Sequence, residues 1–159
     1  MAGTVHYLDP NGDAGSVDYT KVDDGVRQPD PGDNTWDIVY WEEGAYSFEG
    51  TTISGGAVSV TAWLYAYYNQ AGQMTIELYV GEPGEGGDGQ GSHTLESPYG
   101  EWVSHEWSGL ALDQSDVNDL WLKVDSLDGQ TDLDAVYLEV EEGEGGGGGG
   151  AGARSFTVV

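Results

Sequence analysis

The stretch Ala57 to Tyr68, AVSVTAWLYAYY, constrains this chain more than any other. Val58, Val60, Ala62, Leu64, Ala66 and Tyr68 occupy one set of alternate positions, and Ser59, Thr61, Trp63, Tyr65 and Tyr67 the other. A helix, repeating every 3.6 residues, would scatter both sets around its surface, whereas an extended strand sends them to opposite faces. The first set predicts a core face. The second predicts an amphipathic ridge of Trp63, Tyr65 and Tyr67. The sequence NQAGQ then reads as a turn, and Met74 to Val80 as a returning strand. There Ile76, Leu78 and Val80 face in, while Thr75, Glu77 and Tyr79 face out. This predicts a hairpin of two long strands.

The rest of the chain extends the same reading. Twenty-seven glycines, ten tyrosines and six tryptophans suit a β-rich chain with many turns. Residues 1–15 contain LDPNGDAG and read as an N-terminal arm built of turns. Strands are expected over Ser16–Val22, Trp36–Tyr40, Tyr46–Phe48, His93–Leu95, Trp102–Trp107, Trp121–Asp125 and Ala135–Glu141. In the last, Val136, Leu138 and Val140 face in. Residues 23–34 and 81–91 read as loops, the second with no packing capacity. Ser115 is placed to cap one helical turn through Asp116 to Leu120. With no alternation of strands and helices, these elements predict an all-β fold, an antiparallel β-sandwich of jelly-roll type with about eight strands. The sandwich is assigned to 16–142. A glycine-rich tether, 143–152, and a C-terminal docking strand, 153–159, follow it.

Charge and missing residue types exclude several functions. Four basic residues face 29 acidic ones, a formal charge of −25, which repels nucleic acid and anionic lipid. No apolar run approaches the ~20 residues of a membrane span. The first residues lack the basic region and apolar core of a secretory signal. With no cysteine, thiol chemistry and disulfides are out. His6, His93 and His105 form no recognisable set with a nucleophile or paired carboxylates, so no enzymatic activity is expected. His105, between Trp102 and Trp107, is expected to be packed. The expectation for cofactors is none, apart from a structural calcium. Asp23, Asp24, Asp30 and Asp33 in the loop VDDGVRQPDPGDN could supply its oxygens, against the simpler reading of a solvated acidic loop. Asp128, Asp132 and Asp134 form a second candidate cluster.

The aromatic residues give three further readings. Trp63, Tyr65 and Tyr67, with Trp102 and Trp107, could stack on sugar rings. The favoured reading is that a neighbouring subunit covers this row, ahead of cover by the second sheet and of sugar stacking. The tether holds eight glycines in ten residues and spans about 17 Å as a free coil. Beyond it, Arg154, Phe156, Val158 and Val159 form a β-prone tip able to add to a sheet edge. Trp63, Tyr65 and Tyr67 together with that tip are therefore the expected subunit interface.

The order of segments is also familiar. YLDPNGDAG, VDDGVRQPDPGDNTWDIVY, VSVTAWLYAYY and LALDQSDVNDLWLKVDSLDGQTDLDAVYLEVE resemble, over residues 5–142, the jelly-roll structural proteins of tailed viruses and their prophages. The resemblance implies a virion component on the particle exterior: a capsid decoration or turret protein, or a tail or fibre module. It implies contacts with its own subunits and with a major capsid protein, as a homo-oligomer, with a trimer by analogy. The acidic, lysine-poor balance resembles haloarchaeal proteins and so points to a halophilic virus, where concentrated salt screens the self-repulsion. The alternatives on the same architecture are a carbohydrate- or receptor-binding module, which could meet a host surface glycan, and an extracellular filament subunit.

Overall fold

Alternating apolar residues build ten strands among the residues that the computed structural model describes, 4–30, 37–40, 43–68, 73–96, 99–126 and 130–143. They are β1 (Val5–Leu8), β2 (Pro10–Gly15), β3 (Asp37–Tyr40), β4 (Glu43–Phe48), β5 (Ala57–Tyr68), β6 (Gln73–Val80), β7 (Asp88–Glu96), β8 (Tyr99–Trp107), β9 (Leu120–Ser126) and β10 (Gln130–Glu142). All pairings are antiparallel. One sheet runs β1-β10-β5-β8, with β3 beside the opening half of β10; the other runs β2-β4-β9-β6-β7. The chain passes from one sheet to the other at nearly every connection, as a jelly roll requires.

Each strand turns one face into the space between the sheets. Val60, Ala62, Leu64 and Ala66 of β5 and Val136, Leu138 and Val140 of β10 meet Tyr46, Phe48, Met74, Ile76, Leu78, Leu122 and Val124 of the second sheet. The expected inward set of β5 holds from Val60 to Ala66. Val58 departs from it and is 39% exposed, while Ala57 is buried. The register shifts between Glu141 and Glu142, opposite this end of β5, and such an irregularity reverses the phase of alternation.

Several boundaries differ from expectation. The hairpin of β5 and β6 does not form: β5 pairs with β10 and β8, and β6 with β9 and β7. An alternating strand fits a hairpin or a crossing to the opposite sheet equally well, because both bury the same side chains. Among the described residues, β6 and β7 are the one pair of consecutive strands that hydrogen-bond to each other. Their turn uses the glycine-rich loop, whose end becomes strand from Asp88. Gly81 adopts φ +90°, and a Cβ on Gly87 would collide with the Gly81 carbonyl, so the turn closes only with glycine at both positions.

The expected N-terminal arm is instead two strands, β1 paired with β10 and β2 with β4. Pairing with strands from later in the chain supplies the ladder that the turn-forming residues Pro10–Gly15 lack on their own. Ser16–Val22 is not a strand but contains a 3-10 turn, Tyr19–Lys21, whose Asp18 cap accepts from the Thr20 N–H. The helix α1 (Gln114–Val117) is capped by Asp113, not Ser115. Asp113 and Asp116 bond reciprocally to each other's backbone N–H, and the Ser115 hydroxyl donates to Asp113. The tether beyond Gly143 and the docking strand 153–159 lie outside the described residues, as do Arg154, Phe156, Val158 and Val159.

Two buried carboxylates tie separate segments together. Asp37 of β3 accepts from the Tyr46 hydroxyl of β4 and from the Asp18 N–H, which joins the two sheets. Burial pushes Asp37 up, partly opposed by these two bonds. Glu142, at the end of β10, hydrogen-bonds with His6 of β1 and accepts from the Ser54 N–H, the Ser54 hydroxyl and the Gly55 N–H. Burial would raise its pKa, but those bonds outweigh burial and lower it from 4.5 to about 2. A depressed carboxylate pKa stabilises the fold above the unfolded value, and that contribution disappears as pH falls through the folded one. Glu142→Gln is therefore expected to cost about 1–2 kcal/mol at pH 7, allowing for solvent screening. The difference from the parent should shrink between pH 4.5 and about 2. Urea midpoints of parent and variant at pH 7 and pH 3 check this. A gap that stays constant with pH would remove Glu142 as its source, since Asp37 titrates alike in both proteins.

Candidate functional site

The outer face of the first sheet carries the aromatic ridge. Strand register sets its rows. Tyr7 of β1, Glu139 of β10, Thr61 of β5 and Glu106 of β8 align across the sheet. The next row is Tyr137, Trp63 and Ser104, and the next Ala135, Tyr65 and Trp102. Because Leu64 and Leu138 are fully buried between the sheets, alternation turns these rows away from the core. Tyr67 follows Tyr65 on β5 with the same parity; its side chain lies outside what the structure describes.

The rings form one connected group. Trp63 stacks on Tyr137 at 6.3 Å with 16° between planes. Trp102 meets Tyr65 edge-on at 5.4 Å and Tyr137 at 5.5 Å, and Tyr7 meets Tyr137 at 5.9 Å. These are favoured aromatic geometries. Tyr137 is buried beneath the group, while Trp63, Tyr65 and Trp102 are half-buried and Tyr7 is exposed. Trp63 is oriented by its Nε1–H, which donates to Glu139 Oε1 at 3.1 Å.

One side of this group is covered by the protein's own loop. Arg27 lies over the Tyr137 ring at 4.6 Å and the Tyr7 ring at 5.3 Å. Its guanidinium donates to both carboxylate oxygens of Asp9, at 2.7 and 3.2 Å. Trp102 Nε1–H donates to the Asp30 carbonyl at 2.8 Å. The Gln28 N–H reaches the Tyr137 hydroxyl at 3.4 Å. The loop is thus held by a forked ion pair and an indole bond.

The acidic loop offered for calcium is described only as far as Asp30. Among the described residues no group of three or more acids or histidines is arranged to hold a metal, so Asp23, Asp24 and Asp30 do not converge on one. Asp33 and Asp128 lie outside the described residues. Contacts of this loop run through Arg27, the Gln28 N–H and the backbone of Asp30.

Trp107 does not belong to the platform. It pairs with inward Val60, is buried, and its Nε1–H donates to the Gly91 carbonyl of β7 at 2.7 Å. That bond closes the sandwich edge where β7 and β8 approach from opposite sheets. His105 is packed there, as expected: it stacks on His93 at 4.0 Å and meets Trp107 edge-on at 4.8 Å. Burial and then neighbouring His93 pull the His105 pKa down, with Glu106 opposing. Its charged form is disfavoured in the folded state, so protonation below the ordinary histidine range destabilises this edge.

Sequence reasoning found Trp63, Tyr65 and Trp102 and missed Tyr7, Arg27 and Tyr137. Tyr137 stands at the outward phase of VYLEV, so its face was legible, but its neighbours were not. Arg27, the lone cation of an acidic loop, was the visible signal of an ion pair.

No family model matches the chain, and no curated protein sequence matches it. Solved structures do. "Truncated AlyQ with CBM32 and alginate lyase domains" aligns at 11% identity and TM-score 0.53, over 89% of this chain and 35% of that one. This chain thus spans about a third of that protein's length. The CBM32 of AlyQ in complex with 4,5-unsaturated mannuronic acid aligns at 11% identity and TM-score 0.50, over 84% and 97% of the two chains. At such identities the likeness concerns architecture: the chain folds as an antiparallel jelly-roll β-sandwich like those of carbohydrate-binding modules.

Proposed function

We propose that this protein is a non-catalytic carbohydrate-binding module whose site is the outer face of the first sheet. The observation that carries this reading is the connected, half-buried group of Trp63, Tyr65 and Trp102, bordered by Glu139, Thr61, Ser104 and Glu106. A sugar ring presents an apolar C–H face and a rim of hydroxyls. Aromatic rings match the first, and carboxylate and hydroxyl side chains match the second. The solved sandwiches described above include one in complex with 4,5-unsaturated mannuronic acid, which supports a carbohydrate ligand without fixing its charge. A virion structural protein could share the same fold, but the aromatic face with its hydroxyl-matching border favours the glycan reading.

Titrating the full chain with a panel of oligosaccharides while following tryptophan fluorescence tests the proposal. Trp63 and Trp102 lie in the site, so a bound sugar should change the emission saturably, with a dissociation constant in the micromolar to millimolar range, about −8 to −4 kcal/mol. An unchanged spectrum across the panel, with no heat by calorimetry, would sink it.

A further inference from the structure

We infer that the aromatic face takes an uncharged, hydroxyl-rich glycan and rejects uronate chains, an inference that rests on the proposed glycan site. The row on one side of Trp63 and Tyr137 holds both Glu139 and Glu106, and Glu141 follows two residues after Glu139 on the same face. Neighbouring strands lie about 4.8 Å apart and alternate residues about 7 Å apart. A pyranose stacked on Trp63 therefore lies beside Glu139, which Trp63 itself touches, and one diagonal position from Glu106.

The cation packed on this face does not offset them. Arg27 already gives both arms of its fork to Asp9 and lies over Tyr137. Lys123 lies on the other sheet, against Glu43. Carboxylates are pure acceptors. They bind the hydroxyl hydrogens of a neutral sugar and repel an anionic one. Glu139 has accepted one bond, from Trp63, and a carboxylate offers about four acceptor positions. The formal charge of −25 adds a long-range repulsion for any polyanion.

The test compares hexasaccharides of equal length: β-glucans, xylan and mannan fragments as neutral probes, oligomannuronate and oligogalacturonate as acidic ones. Calorimetry is run at 50 mM and 1 M NaCl on the parent, on Trp63→Ala and on the double variant Glu106→Gln, Glu139→Gln. The expected result is binding of at least one neutral probe, tenfold or more over every uronate at low salt. That binding should be little changed by salt and weakened in Trp63→Ala. The double variant should narrow the preference. Uronate binding as tight as neutral binding, lost in Trp63→Ala, would overturn the specificity and leave the glycan site standing. Neutral binding unchanged in Trp63→Ala would overturn the face. No binding by any probe would overturn both.

Discussion

Trp63→Ala is expected to weaken glycan binding tenfold to a hundredfold, the loss of about 1.4–2.8 kcal/mol. Removing an aromatic anchor from a binding surface has effects of this order. The indole also stacks on Tyr137 and donates to Glu139, so alanine removes the stacking surface and releases the acceptor beside it. The effect on the fold should be small, because Trp63 is half-buried and faces away from the core. Trp63→Phe keeps a ring but not the indole donor, and should recover part of the affinity. Near-UV circular dichroism and a thermal melt accompany both titrations. Affinity that survives in a folded Trp63→Ala protein would move the site away from this face.

The neighbouring residue should behave in the opposite way. Leu64→Ala is expected to cost about 3–5 kcal/mol, the range for a leucine removed from a rigid core. Leu64 is fully buried, lies on the longest-paired stretch of β5, and is flanked across the sheet by Val136 and Val103. Neither sheet can close the resulting hole without breaking its ladder to β10 or β8. For a domain of this length the melting temperature should drop by about 10 °C. Glycan affinity measured on the folded fraction should be unchanged. A cost below about 1 kcal/mol would mean that the sheets collapse around the cavity, at odds with the packing described.

This pair of adjacent residues shows what the sequence contained. The alternation in AVSVTAWLYAYY placed Leu64 inside and Trp63 outside, and the structure agrees from Val60 to Ala66. Ile76 and Leu78 of β6 and Val136, Leu138 and Val140 of β10 were legible in the same way. Val58 was not, because it is itself the extra residue of a bulge in β5, skipped between Ser59 and Ala57 where they pair with Glu141 and Glu142, and only that pairing reveals it. Tyr7 was hidden in a segment of turn-forming residues that becomes strand only through pairing with β10. Arg27 was visible as a lone cation, but its partners were not, because Tyr7 and Tyr137 come from β1 and β10 and Asp9 from the link between β1 and β2.

The sequence alone determined the all-β class, the core-facing set of most strands and an aromatic ridge on the outer face of one of them. These follow from period two, which is a local property of an extended chain. The tertiary structure decided that β5 lies between β10 and β8 instead of beside β6. It decided that Trp102 joins Trp63 and Tyr65 while Trp107 turns inward, and that the acidic loop is fastened by Arg27. Either choice of partner for β5 buries the same side chains, so the local pattern is blind to it. Only the simultaneous packing of both sheets, with every buried backbone group paired, selects one arrangement.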